Sequence, residues 1–121
     1  MPIQRILIVD DSPTERHVLS TALTGAGFDV ATLDSAHDLL PKVKQLAPDL
    51  ILMDVIMPGL NGFQATRMIS REPATSHIPV IMCTSKSQDT DKIWGMRQGA
   101  RDYVCKPVDI PALLAKIASL G

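Results

Sequence analysis

The stretch that decides the fold is DLILMDVIMPG, residues 49–59. An apolar run, Leu50-Ile51-Leu52-Met53, ends on a carboxylate, Asp54, and the chain then meets Pro58 and Gly59. A short apolar run bounded by turn formers reads as a strand buried on both faces. An acid at the end of such a strand is costly to bury unless something at the strand's edge offsets its charge.

The same pattern recurs along the chain. RILIVD (5–10), FDVATL (28–33), PVIMCT (79–84) and DYVCK (102–106) are strand candidates. A helix signal follows each strand. Ser12 can cap a helix with Pro13 at its first position, and Glu15 is placed to complete a capping box. That helix stops at Gly25 and Gly27. Ser35 is expected to cap a second helix reaching about Ala47. Pro41 sits awkwardly inside it, so this helix either bends or starts late. Asn61-Gly62 opens a third helix through FQATRMISRE, Asp89 to Gln98 forms a fourth closed by Gly99, and Asp109-Ile110-Pro111-Ala112 opens a fifth. Five strand–helix units in series predict an α/β fold with a parallel sheet covered on both faces and right-handed crossovers.

Composition removes several classes of function. The chain has 121 residues, which predicts a single domain over 1–121. It carries 12 basic and 13 acidic residues, well interspersed, for a net charge of −1. Neither a basic stripe nor an aromatic platform points to nucleic acid. The apolar runs fall far short of the roughly 20 residues a membrane span needs, and the N-terminus lacks the regions of a signal peptide. A cytoplasmic protein with no membrane partner is expected. Cys83 and Cys105 form neither a disulfide framework nor a zinc pattern. They are expected as buried thiols on neighbouring strands, facing the same side roughly 5 Å apart. His17, His37 and His77 share no ligand spacing.

In an open parallel sheet, ligands collect outside the carboxyl ends of the strands. Read at that edge, the strand ends are Asp10-Asp11, Asp54, Thr84-Ser85 and Lys106-Pro107. Clustered carboxylates repel one another, and a hard divalent cation with oxygen ligands relieves this. Mg²⁺ suits an incomplete cage because it keeps waters and leaves room for a phosphate oxygen. Lys106 supplies a point positive charge opposite. A metal and an ammonium facing one carboxylate can stabilise a phosphoryl group in transit, and that carboxylate can be the nucleophile. Asp54 is the expected nucleophile, and the turn after it is expected to bring a backbone carbonyl near Ile56 to the metal.

The segments ILIVDDS, LILMDVIMPGLNGF, PVIMCTS and DYVCKPV, in this order and spacing, resemble the receiver domain of two-component response regulators. The resemblance covers essentially the whole chain. It implies a flavodoxin-like, doubly wound five-stranded sheet of order 2-1-3-4-5 with five helices. It also implies Asp54 as phosphoacceptor, and Asp11 and Asp54 as Mg²⁺ ligands, with Asp10 acting through water and Ile56 through its carbonyl. Thr84 matches the switch hydroxyl, Lys106 the phosphate-binding lysine ahead of a cis bond to Pro107, and Tyr103 the aromatic that changes rotamer. Ile56 and Lys86 match positions that tune the lifetime of the acyl phosphate, and Ser85 is small as the site requires. The implied donor is a histidine kinase phosphohistidine. The protein is then no enzyme in the usual sense, since it catalyses only its own phosphorylation and dephosphorylation.

Within the family, DSPTERHVL, FQATR and TDKIWGMRQGARDY look similar to single-domain regulators of type IV pilus, chemotaxis-like systems. The implied readout is a surface of the fourth helix, fifth strand and fifth helix, with Lys92, Met96 and Tyr103 on it, taken by a monomer and offered to a downstream protein. Trp94 is read as packing on a neighbouring helix, with a partner contact as the alternative; Met68 and Met82 are read as core fillers. A phosphate sink for a sibling regulator, or a phosphorylation-independent scaffold, stays open. An acid-nucleophile phosphatase fits less well, because Ile56 stands where its second acid belongs. A flavin carrier fits poorly, because Asp10 and Asp11 would repel its phosphate.

Overall fold

The apolar runs form parallel strands, and the segments between them form the helices that cover the sheet. The computed structural model describes residues 3–55, 57, 61–84 and 89–120, with the side chains of 89–92 excepted. The elements alternate as β1 (Arg5–Val9), α1 (Pro13–Gly25), β2 (Asp29–Leu33), α2 (Leu39–Leu46), β3 (Leu50–Asp54), α3 (Gly62–Arg71), β4 (Val80–Thr84), α4 (Asp89–Arg97), β5 (Asp102–Cys105) and α5 (Ile110–Leu120). The sheet order is β2-β1-β3-β4-β5, with all pairs parallel. This is the doubly wound arrangement expected from the sequence. Strand order reverses between β1 and β3, which places the expected ligand crevice at the ends of those two strands.

The central strands β1, β3 and β4 lack polar alternation because both their faces are buried. Leu7, Val9, Ile51 and Met53 pack with Leu39 and Val43 of α2 and with Ala65 and Ile69 of α3. Their alternates Ile6, Ile8, Leu50, Leu52 and Ile81 pack with Leu19 and Leu23 of α1 and with Leu113 and Ile117 of α5. Each such side chain removed from water contributes about 1.5–3 kcal/mol. A third cluster, Val55, Met82, Ala100 and Tyr103 with Phe63 and Cys105, lies towards α4, whose Gly95 sits over Met82 and the Tyr103 ring. Among the described residues no helix is long and apolar enough to cross a membrane.

Several local expectations need correction. Ser12 caps α1 through its hydroxyl, which accepts from the Glu15 N–H at 3.3 Å, but the Glu15 side chain turns elsewhere and completes no capping box. Ser35 does not cap α2; its hydroxyl accepts from the His37 N–H at 3.2 Å, and the helix starts at Leu39 after a left-handed Asp38. Pro41 therefore falls in the first turn, where a missing N–H leaves no helical bond unmade.

The cysteines do not share a face. Cys105 pairs with Thr84 and Cys83 with Val104, and this offset of one residue sends the two thiols to opposite sides of the sheet. Both are free, and burial pushes the Cys83 thiol up to about 12, so it stays protonated and unreactive. Trp94 is 56% exposed and borders a groove with Phe63, Gln64 and Arg67 of α3, so it lies beside the neighbouring helix while leaving much of its ring open. Met82 is core, whereas Met68 is partly exposed.

Gly62 fixes how α3 meets the end of β3. Its N–H donates to the Val55 carbonyl at 2.9 Å, and a Cβ there would lie 2.1 Å from the Asp54 carbonyl oxygen. The obstacle is backbone, which cannot rotate away. Gly62→Ala is expected to lower stability by about 1–3 kcal/mol in urea unfolding, in the range for overpacked sites. An unchanged midpoint would contradict this contact.

Candidate functional site

The strand ends bring acids from distant parts of the sequence to one edge. Asp10 directly follows β1, and its N–H donates to the Leu33 carbonyl at 3.0 Å, extending the ladder by one residue. One Asp10 carboxylate oxygen accepts from the Ser12 N–H at 2.9 Å, and the Arg16 guanidinium donates to the Asp10 carbonyl at 2.7 Å. Asp10 is buried and held from both its side chain and its backbone. Asp54 closes β3, the middle strand, and is 5% exposed. Asp11 begins the loop into α1 and stays exposed. Carboxylate oxygens of Asp10, Asp11 and Asp54 all lie within 4.8 Å of one another.

Lys106 enters from the opposite side. Its N–H donates to the Thr84 carbonyl at 2.8 Å, which ties the end of β5 to the end of β4, and its bond to Pro107 is cis, as the resemblance implies. The ammonium donates to Asp10 Oδ2 at 3.0 Å and to Asp54 Oδ1 at 3.1 Å. It also donates to Glu15 Oε2. Thr84 ends β4 and is fully buried beside this group. Tyr103 lies one strand over, buried beneath α4 rather than displayed on the surface. Met96 on α4 is exposed. Ile56, Ser85, Lys86 and the Lys92 side chain lie outside the described residues.

Glu15 is the site residue the sequence reading missed. Its sequence position suggests a role in the helix cap, whereas its carboxylate crosses to Lys106. The available signal was its place in the first turn of the helix that begins right after Asp10-Asp11, at the same sheet edge. Arg16, which holds the Asp10 carbonyl, carried no signal beyond adjacency.

The electrostatics are uneven. Burial raises the Asp54 pKa, the hydrogen bond from Lys106 opposes this, and the charges of Asp10 and Asp11 raise it further, to about 6. Burial alone would lower the Lys106 pKa, but its bonds to Glu15, Asp10 and Asp54 outweigh burial and hold it above the ordinary value. One ammonium therefore faces four carboxylates, and Asp54 retains unrelieved repulsion. The cluster is a set of hard oxygen donors with excess negative charge, which fits a small divalent cation.

Comparison with known proteins agrees with this geometry. The pattern of the response regulator receiver domain matches residues 6–118. Protein PilH of Pseudomonas aeruginosa is 54% identical over 113 residues, 93% of each chain. The DNA-binding response regulator MtrA of Mycolicibacterium smegmatis is 40% identical over 94% of this chain, which spans only 49% of that relative's length. Among solved structures, a putative response regulator from Chloroflexus aurantiacus superposes with a TM-score of 0.91 at 31% identity, covering 99% of this chain and 98% of its own. The Vibrio cholerae chemotaxis protein CheY4 superposes with a TM-score of 0.91 at 28% identity, covering 98% of this chain and 99% of its own. The chain belongs to the response regulator receiver domain family.

Proposed function

We propose that this chain is a response regulator receiver that takes a phosphoryl group from a kinase phosphohistidine onto Asp54. The observation that carries the reading is the buried Asp54 carboxylate, held at 3.1 Å by Lys106 within an otherwise acidic edge. An Asp54 oxygen attacks phosphorus, a P–O bond forms, and the P–N bond to the histidine breaks, with the electron pair leaving on the imidazole nitrogen. Lys106 is the donor to a phosphoryl oxygen, and the Thr84 hydroxyl is a second partner for the product. Asp10, Asp11 and Asp54 are the residues to hold Mg²⁺, which when bound screens the carboxylates and neutralises phosphoryl charge. Asp10 acting through water, the carbonyl of Ile56, and lifetime tuning by Ile56 and Lys86 complete the proposed set.

The readout we propose is the surface of α4, β5 and α5. The Tyr103 ring lies beneath Gly95 of α4, with Cδ2 3.5 Å from where a Cβ would stand. A change of Tyr103 rotamer would alter this packing against α4, whose exposed Ile93, Trp94 and Met96 would meet a downstream protein. The inward position of Tyr103 is already filled here, so activation shifts an existing balance rather than opening a new pocket. The similarity to PilH supports assigning the chain to pilus-based, chemotaxis-like signalling.

Two experiments test this reading. Incubation with acetyl phosphate and Mg²⁺, read by intact mass, is expected to add a single phosphoryl group to the wild type and none to Asp54→Ala. An adduct that persists in the variant would remove Asp54 as acceptor.

The second is a pH series in a chelator. The Asp54 pKa is raised from 3.8 to about 6 in the folded protein, so its contribution to stability is fully present below 3.8 and is lost as pH rises through 6. Thermal melts should show Asp54→Asn gaining on the wild type between those values and holding its lead above them. Mg²⁺ should narrow that gap. A gap independent of pH and of Mg²⁺ would contradict the site's electrostatics.

A further inference from the structure

An ammonium has three N–H donors. In this structure each Lys106 donor has a carboxylate: Asp10, Asp54 and Glu15. Resting on the phosphoacceptor reading above, a phosphoryl oxygen that binds Lys106 must displace one of them. The three differ in what holds them. The side chains of Asp10 and Asp54 are 2% and 7% exposed, whereas that of Glu15 is 40% exposed. Asp10 is further tied to the Ser12 N–H, and the Asp54 Oδ1 bond to Lys106 orients the carboxylate while its other oxygen meets phosphorus. Glu15 lies at the mouth of a cavity of about 210 Å³ lined with Val18, Leu19, Lys106, Pro107 and Val108, so its carboxylate can swing out to water. Releasing a half-exposed carboxylate to water costs far less than stranding a buried one.

We propose that Glu15 is a positioning residue that clamps Lys106 in the resting protein and yields its place to the phosphoryl group. Glu15 is neither the proposed acceptor nor one of the carboxylates grouped for the cation. It acts by competition for one N–H of Lys106, and so sets how readily the site accepts a phosphoryl group. Shortening or neutralising it leaves that N–H available in advance.

The test uses the full chain with Mg²⁺ and beryllofluoride, a non-covalent phosphoryl mimic, followed by ¹⁹F NMR titration. Glu15→Gln removes the charge. Glu15→Asp keeps the charge but shortens the reach by one methylene. Both should bind the mimic about threefold to tenfold more tightly than the wild type, with thermal melts close to the wild type. A gain confined to Glu15→Gln would mean long-range repulsion and would overturn the clamp. Unchanged or weaker binding in both variants would overturn it too. Failure of the wild type itself to bind would instead sink the phosphoacceptor reading. A crystal structure of the wild-type complex is the independent check: the Glu15 carboxylate should stand beyond hydrogen-bond distance of Lys106 Nζ, and a retained bond would refute the proposal.

Discussion

One lysine ammonium, shared among carboxylates that the chain delivers from distant positions, is the constraint on which the site depends. Lys106 bonds to Asp10 and Asp54 across separations of 96 and 52 residues. Without it, two buried acids would face each other with no counter-charge, and the cost would be carried by the ends of β1 and β3. With it, the edge is still short of positive charge, as the raised pKa of Asp54 records. That residual deficit suits the edge to a small divalent cation.

The fold supplies this geometry through ordinary packing. The three central strands, β1, β3 and β4, are buried on both faces, so their polar groups are confined to the strand ends. The reversal of strand order between β1 and β3 opens a crevice where two of the acids lie. Gly62 lets α3 approach the Asp54 backbone closely, and the bond from the Lys106 N–H to the Thr84 carbonyl fixes where the lysine starts. The strands, rather than the loops, therefore set the position of Asp54.

The strand order and the acid, hydroxyl and lysine set were legible because they rest on apolar runs and on what ends each run. Helix starts were less so. Asn61 and Gln64 form the capping box that local rules describe, but Glu15, in an equally good sequence context, bonds to Lys106 because a buried-edge ammonium outcompetes a backbone N–H. Ser35 lost its cap to a left-handed Asp38 that no local signal marks. The cysteine faces were misjudged because register between β4 and β5 is a tertiary quantity, and a shift of one residue inverts every face. Tyr103 was read as a surface residue because it sits in a contact-forming segment, while its ring is needed to fill the space under α4.

The most direct measurement of the central claim is the chemical position of the phosphoryl group. Borohydride reduces an aspartyl phosphate to homoserine, so phosphorylated protein can be reduced, digested and mapped by mass. The account predicts homoserine at residue 54 alone. Homoserine at Asp10 or Asp11, or no conversion anywhere, would contradict it.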